Sequence, residues 1–182
     1  MKPTRLFRTL ISAVVMIPGL TGCLGMPDGV KPVENFDVNR YLGTWYEIAR
    51  LDHSFERGLI NVSAEYSLRD DGGVRVVNRG FSTRDNKWEE ANGKAYFVES
   101  ADTGYLKVSF FGPFYGSYVV FGLDQEHYQY SFVSGPDTSY LWLLSRTRQA
   151  PDEVVQKFMD SARSLGFDTG GLIMVEQNSS AD

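Results

Sequence analysis

The chain has 182 residues, 42% of them apolar, with a single cysteine and 23 acidic against 18 basic side chains, a formal net charge of −5. That length supports one domain around one core, and a lone cysteine excludes a disulfide-stapled scaffold. An acidic chain without a Lys/Arg cluster argues against nucleic acid and against electrostatic attachment to an anionic membrane surface.

In chain order, residues 1–22 come first. Lys2, Arg5 and Arg8 precede a stretch from Leu10 to Leu20 that is apolar apart from Ser12, the layout of a secretory signal. A spanning helix needs about 20 predominantly apolar residues, and Pro18 and Gly19 already interrupt this run. It ends on Leu20-Thr21-Gly22-Cys23, which resembles the lipobox of bacterial lipoproteins. The resemblance implies that Cys23 becomes the mature N-terminus, with a diacylglyceryl thioether on its sulfur and a third acyl chain on its amine. One chain holds a protein reversibly and two or more anchor it stably; the plain alternative is a lone thiol that packs as a small hydrophobe. Leu24 follows where the lipoprotein sorting rule has aspartate for inner-membrane retention, so the expected location is the outer membrane, on its periplasmic face. Cleavage before Cys23 removes three basic residues and no acidic one, leaving 15 against 23 and a net charge of −8.

Residues 23–35 then read as a lipidated N-terminus and tether, because 24–35 hold two prolines and two glycines without hydrophobic periodicity. From Thr44 to Arg146 the chain alternates short runs rich in Val, Tyr, Phe, Trp and Ile with turn clusters such as "RDDGG", "FGPFYG" and "SGPD", the pattern of an all-β barrel or sandwich. The runs fall near 44–52, 62–69, 73–81, 88–98, 104–111, 117–123, 128–134 and 140–146. In the second, Val62, Ala64, Tyr66 and Leu68 oppose Ser63, Glu65, Ser67 and Arg69, so one face is wet. Both faces of the last are apolar, which demands a cover. "APDEVVQKFMDSARSLG" supplies it: Pro151, Asp152 and Glu153 suit a helix start, Val154, Val155, Phe158, Ala162 and Leu165 recur at helical spacing, and Gly166 is a stop. "GLIMVEQ" adds a short edge strand, and residues 178–182 form a polar, disordered tail.

The stretch "NFDVNRYLGTWYEIARLD", with Gly43-x-Trp45, resembles the opening of a lipocalin. "YSLRDDGG", "GKAYF", "LKVSFFGPFYG" and "YLWLLSRT" resemble more narrowly the bacterial lipocalins of the outer-membrane lipoprotein type, themselves similar to apolipoprotein D. The resemblance covers 36–177 and implies an eight-stranded antiparallel up-and-down β-barrel, a lipocalin calyx, with one C-terminal α-helix packed outside. In such a barrel the end of the last strand neighbours the start of the first, so Arg146 should close the floor over Trp45 beside Gly43. The loops at 53–61, 82–87, 112–116 and 135–139 then share the mouth.

Alternation places Ala49, Ala64, Tyr66, Val76, Asn78, Gly80, Ala95, Phe97, Val108, Phe110, Trp142 and Leu144 inward. Small residues leave room and aromatics wall it, a slot that fits an acyl chain. The family resemblance makes Trp142 and Tyr115 the leading contacts, with Phe97, Tyr66, Val108, Phe110 and Leu144 around them, for a fatty acid or a lysophospholipid used in membrane maintenance. Arg57, Arg84 and Lys87, in the mouth loops beside Asp52, Glu56 and Asp85, are candidates for holding a phosphate head group. Phe111, Phe114 and Tyr115 cannot all point inward, so a homodimer or a membrane-touching lip is expected there. No cofactor or metal is expected, since neither His53 nor His127 lies in a ligand spacing. Two other readings stand beside the carrier: a passive envelope lipoprotein with a filled barrel, and a lipid-modifying enzyme using His53 near Asp52 and Glu56. No Gly-x-Ser-x-Gly elbow supports the last.

Overall fold

Between Gly43 and Ser145 the alternating runs resolve into eight strands in a computed structural model that describes residues 24–178. The secretory pattern of 1–22, the lipidation candidate Cys23 and residues 179–182 lie outside the described residues. The strands are β1 (Gly43–Arg50), β2 (Leu59–Leu68), β3 (Val74–Ser82), β4 (Lys87–Phe97), β5 (Tyr105–Ser109), β6 (Gly116–Leu123), β7 (Tyr130–Ser134) and β8 (Leu141–Ser145). Neighbours pair antiparallel in chain order, and β1 pairs with both β8 and β2, so the sheet closes on itself. Closure gives every barrel strand a partner on both sides along at least part of its length.

Period-two alternation sorts the side chains into two cores. Trp45, Tyr66, Val76, Ala95, Leu106, Val120, Val133 and Leu144 fill the barrel. Ile48, Val119, Phe132, Leu141 and Leu143 face outward, where α2 (Asp152–Ser164) covers them. Its buried stripe is Val154, Phe158 and Ala162, and the Phe158 ring meets Phe132 edge-on at 5.2 Å. Pro151 stands at the N-cap just before the helix, and Asp152 and Glu153 in the first turn favour its positive end. Gly166 takes φ +83° just after the C-cap, a conformation that suits a residue without Cβ.

The alternation breaks once in β1. A bulge between Glu47 and Ala49 re-phases the strand, so Glu47 lies across from Leu144 inside and Ala49 lies across from Leu143 outside. Ala49, expected inward, therefore belongs to the core under the helix, and Arg50, opposite Trp142, turns into the barrel.

The same bulge parts β1 from β2, whose pairing is confined to Gly43–Tyr46. The gap is filled from the C-terminal side. After a 3-10 turn at Thr169–Gly171, β9 (Ile173–Met174) pairs with Ala49 and Arg50. Val175 then donates to the Ile48 carbonyl at 2.9 Å, and Asn61 donates to the Glu176 carbonyl at 2.8 Å. The Gln177 amide bridges the two strands directly, donating to Glu47 O at 2.9 Å and to Val62 O at 2.8 Å.

Residues 24–35, whose composition reads as a tether, instead run down the outer wall. Val30 is buried in the core under the helix, with Met26 against it, and Val33 exchanges backbone hydrogen bonds of 2.8 Å with Val120 and Gly104. Apolar contacts spaced irregularly suffice to hold an extended strap, which needs no periodicity.

Candidate functional site

The floor is built first. Gly43 has φ +89°, which lets the chain turn from α1 (Val38–Tyr41) into β1 directly beneath Arg146. The Arg146 guanidinium carbon sits 4.0 Å from the Trp45 ring centroid. Its nitrogens donate to three carbonyls, Thr44 at 2.9 Å, Arg40 at 2.7 Å and Tyr128 at 3.2 Å. Trp45 is fully buried and donates its indole N–H to Tyr41 O at 2.8 Å. One planar cation thus ties together the end of β8, the start of β1, α1 and the β6–β7 turn.

Above the floor lies a layer of hydroxyls. Tyr41 bonds Tyr118 at 2.8 Å and Ser131 at 2.9 Å, and Tyr118 bonds Tyr66 at 3.0 Å. Burial pushes the Tyr41 hydroxyl up to about 12 and raises those of Tyr66 and Tyr118 as well, so the layer is neutral. With Phe36 and Phe97 packed at 6.2 Å below it, the lower half of the barrel is solid.

The upper half differs. Trp45, Ala64, Asn78 and Ala91 lie in one cross-strand row on the inner face, and along that row burial falls from complete at Trp45 to exposed at Ala91. Val108, Phe110 and Trp142 point inward and are also only half-buried. β5 covers β4 only over Lys94–Phe97, so Ala91 lies past the closed ring, whereas Val108, Phe110 and Trp142 meet solvent in part at its upper end. The side chains around that upper end are mainly apolar and aromatic, with Asn78 among them.

At the mouth the bulge assembles a buried ionic group. Arg50 is 2% exposed; it donates to Glu47 Oε1 at 2.6 Å and to the carbonyls of Glu56 at 2.8 Å and Leu59 at 3.2 Å. Trp142 donates its indole N–H to Glu56 Oε2 at 3.1 Å. Burial first, and then the neighbouring Glu56 charge, push the Glu47 carboxyl up to about 8 despite Arg50, and burial raises Glu56 too. Two carboxyls facing one guanidinium away from water keep a proton between them at neutral pH. His53 completes the rim: its ring lies between Phe55 at 5.2 Å and Tyr140 at 4.8 Å, with Trp142 at 5.0 Å. Burial lowers its pKa, and Nε2 has no hydrogen-bond partner among the described residues.

Comparison with known proteins gives the same assignment. The family described as Lipocalin-like domain matches residues 36–177. The chain is a lipocalin. It is 63% identical over 158 residues to the protein named outer membrane lipoprotein Blc of Vibrio cholerae, covering 87% of this chain and 92% of that one. It is 30% identical to apolipoprotein D of Macaca fascicularis over 92% and 96% of the two chains. Among solved structures, insecticyanin from the tobacco hornworm Manduca sexta superposes with a TM-score of 0.69 at 25% identity, covering 86% and 89%.

The lipocalin distributes the sequence-predicted residues unevenly. Trp142, Val108 and Phe110 line the accessible upper half, and Leu144 lies below Trp142 beside Glu47. Tyr66 belongs to the hydroxyl layer and Phe97 to the plug beneath it. Tyr115 stands against the outward-facing Tyr96 and Lys107, at 6.4 Å and 5.4 Å, so it packs on the outer wall. Each mouth cation has a carboxylate partner: Arg57 with Asp52, Arg84 with Asp85 at 2.9 Å and Lys87 with Glu89 at 3.8 Å. The sequence offers Glu56 only as a mouth-loop acid and gives no sign of Glu47 and Arg50, because only the bulge turns those two to one face, and bulges carry no short signature. Two clefts of about 220 and 300 Å³ indent the outer wall of the lipocalin, the first around Ser63, Glu65 and Arg79 and the second around Arg75, Asn92 and Lys94. Their polar linings do not suit an acyl chain.

Proposed function

We propose that this lipocalin is anchored through lipid on Cys23 at the periplasmic face of the bacterial outer membrane, where it binds one acyl chain of a fatty acid or lysophospholipid and stores or carries it for membrane maintenance. The observation that carries the reading is the contrast inside the barrel, packed with aromatic rings and hydroxyls below and, above, edged by the partly solvent-reached Val108, Phe110 and Trp142 beside the Glu47–Arg50–Glu56 group. The names of relatives, outer membrane lipoproteins among them, agree with the anchor. Each buried methylene contributes about 0.8 kcal/mol, and association costs about 4–15 kcal/mol, so a long chain binds with moderate, micromolar-range affinity. With Arg57, Arg84 and Lys87 already paired, the acyl chain rather than the head group dominates that affinity. The carrier reading is favoured over a catalyst because the His53 ring is stacked between aromatic neighbours, while Asp52 is held by Arg57.

Native mass spectrometry of the domain lacking residues 1–23, with both lipid classes offered in competition, tests this. A saturable one-to-one complex is expected, weakened roughly tenfold by Trp142→Ala through the loss of aromatic wall. Exchanging Arg57, Arg84 and Lys87 for Gln should weaken both classes little and equally. No retained lipid of either class would instead make the passive, filled barrel the better description.

A further inference from the structure

The strap at residues 24–35 has a direction. Gly25 donates its backbone N–H to Ser117 Oγ at 2.9 Å and lies beside the Pro136 carbonyl. Ser117 is the second residue of β6, just past the β5–β6 loop, and Pro136 is in the β7–β8 loop; both loops are at the mouth. From there the strap descends past Val30 and Val33 to Phe36, whose N–H donates to Asp102 O in a floor loop at 2.7 Å. Cys23 is one peptide unit from Leu24, a step of about 3.8 Å. A strand of β6's length puts the floor roughly 25 Å away. Lipid on Cys23 therefore leaves the molecule at the mouth end.

Exposed apolar surface is gathered at that same end. Among the described residues, all the exposed large hydrophobic side chains except Leu68 lie in the half nearer the mouth. The foremost are Phe111 (82% exposed) and Phe114 (67%) in the β5–β6 loop and Phe55 (61%) in the β1–β2 loop across the opening. The floor turns are polar by contrast, with Arg69, Asp70 and Asp71 in one and Asp124, Gln125, Glu126 and His127 in another. Aromatic side chains on a rim beside an acyl anchor match the interfacial zone of a bilayer.

We propose that the mouth of the barrel rests on the membrane, with Phe55, Phe111 and Phe114 entering the interfacial region, so that lipid passes between leaflet and calyx without crossing bulk water. The proposal uses the reading of Cys23 as the anchor and is independent of which lipid the calyx prefers.

In the mature lipidated chain the sulfur of Cys23 is a thioether, so an introduced cysteine is the only thiol to label. Thr138→Cys at the mouth and Asp70→Cys at the floor each receive a fluorophore, and the protein is reconstituted into vesicles of phosphatidylethanolamine and phosphatidylglycerol carrying spin-labelled lipid. Strong quenching at 138 and little at 70 is expected; equal quenching, or stronger quenching at 70, overturns the orientation. Protection of the 138 label without vesicles would overturn it in favour of a second copy seated on the mouth. In the same chain, Phe111→Ser with Phe114→Ser should slow uptake of acyl chains from vesicles roughly tenfold. Loading with a short-chain lysolipid supplied as monomers should be unchanged. Unchanged uptake from vesicles removes the docking role of the lip, whereas failure of the unsubstituted protein to load from either source removes the carrier reading instead.

Discussion

Glu47 and Arg50 lie three positions apart in one strand, yet both enter the barrel, and with Glu56 they form an ionic group that is almost wholly buried. Burial strips the Glu47 carboxylate of its solvation and the neighbouring Glu56 charge adds to the cost, so Glu47 is pushed up to about 8 despite the bond from Arg50. The linkage has a definite sign. Between the ordinary glutamate pKa and about 8 the folded state holds a proton that the unfolded state has released, so stability falls as pH rises through that window. Urea unfolding of Glu47→Gln, compared with the unsubstituted domain from pH 5 to pH 8.5, should show a shallower loss of stability, because the uncharged amide cannot titrate while still accepting from Arg50. Parallel curves would mean that Glu47 is ionised throughout. The floor was far more legible than this group. Gly43, Trp45 and Arg146 could be placed together because barrel closure alone brings the last strand beside the first, whereas the partnership of Glu47 with Arg50 depends on a one-residue irregularity.

At the level of elements, period-two alternation and turn clusters locate the eight strands within a few residues, and helical spacing locates α2 with its buried face. Two elements escaped. The strap at 24–35 offers Met26, Val30 and Val33 to the wall without a repeat, so nothing local separates it from a linker. Tyr115 was drawn inward by the family's expectation and stands outside because the β5–β6 loop folds back onto Tyr96 and Lys107. Gly122 shows how tightly the outer layer is made. The ladder shifts between Val120 and Gly122, and a Cβ at 122 would enter the Phe132 ring. That ring has no room to retreat, with Tyr130 at 5.4 Å and Phe158 at 5.2 Å. Gly122→Ala should therefore destabilise by about 1–3 kcal/mol, measurable as a lower urea midpoint with unchanged slope, while Gly72→Ala, with open space around it but φ +79°, should cost about 1–2 kcal/mol through backbone strain alone.

For the whole molecule, the decisive join is the one between β1 and β2. Each other pair of neighbouring strands is held by a ladder of its own, including the closure of β8 on β1. This pair shares a ladder only near the floor and is bridged above it by residues 173–178. Gln177→Ala removes both amide donors that span the gap and should lower stability by about 1–3 kcal/mol. Hydrogen exchange should speed up most at the Asn61, Val175 and Asn178 amides, whose N–H groups donate across the join, and equal acceleration across all strands would show that the join is no weaker than the rest. The bridging contacts connect positions 115 and 130 residues apart, the kind of long-range closure that forms late. Synthesis proceeds in the opposite sense from assembly of the ring: β1 emerges first and must wait, its upper flank unpaired, until the strand that flanks it has been made more than a hundred residues later. A partly made chain is thus a sheet with an open side, and the ring is complete along its whole height only after residues 173–178 arrive, so the closed barrel belongs to finished molecules and to no earlier stage.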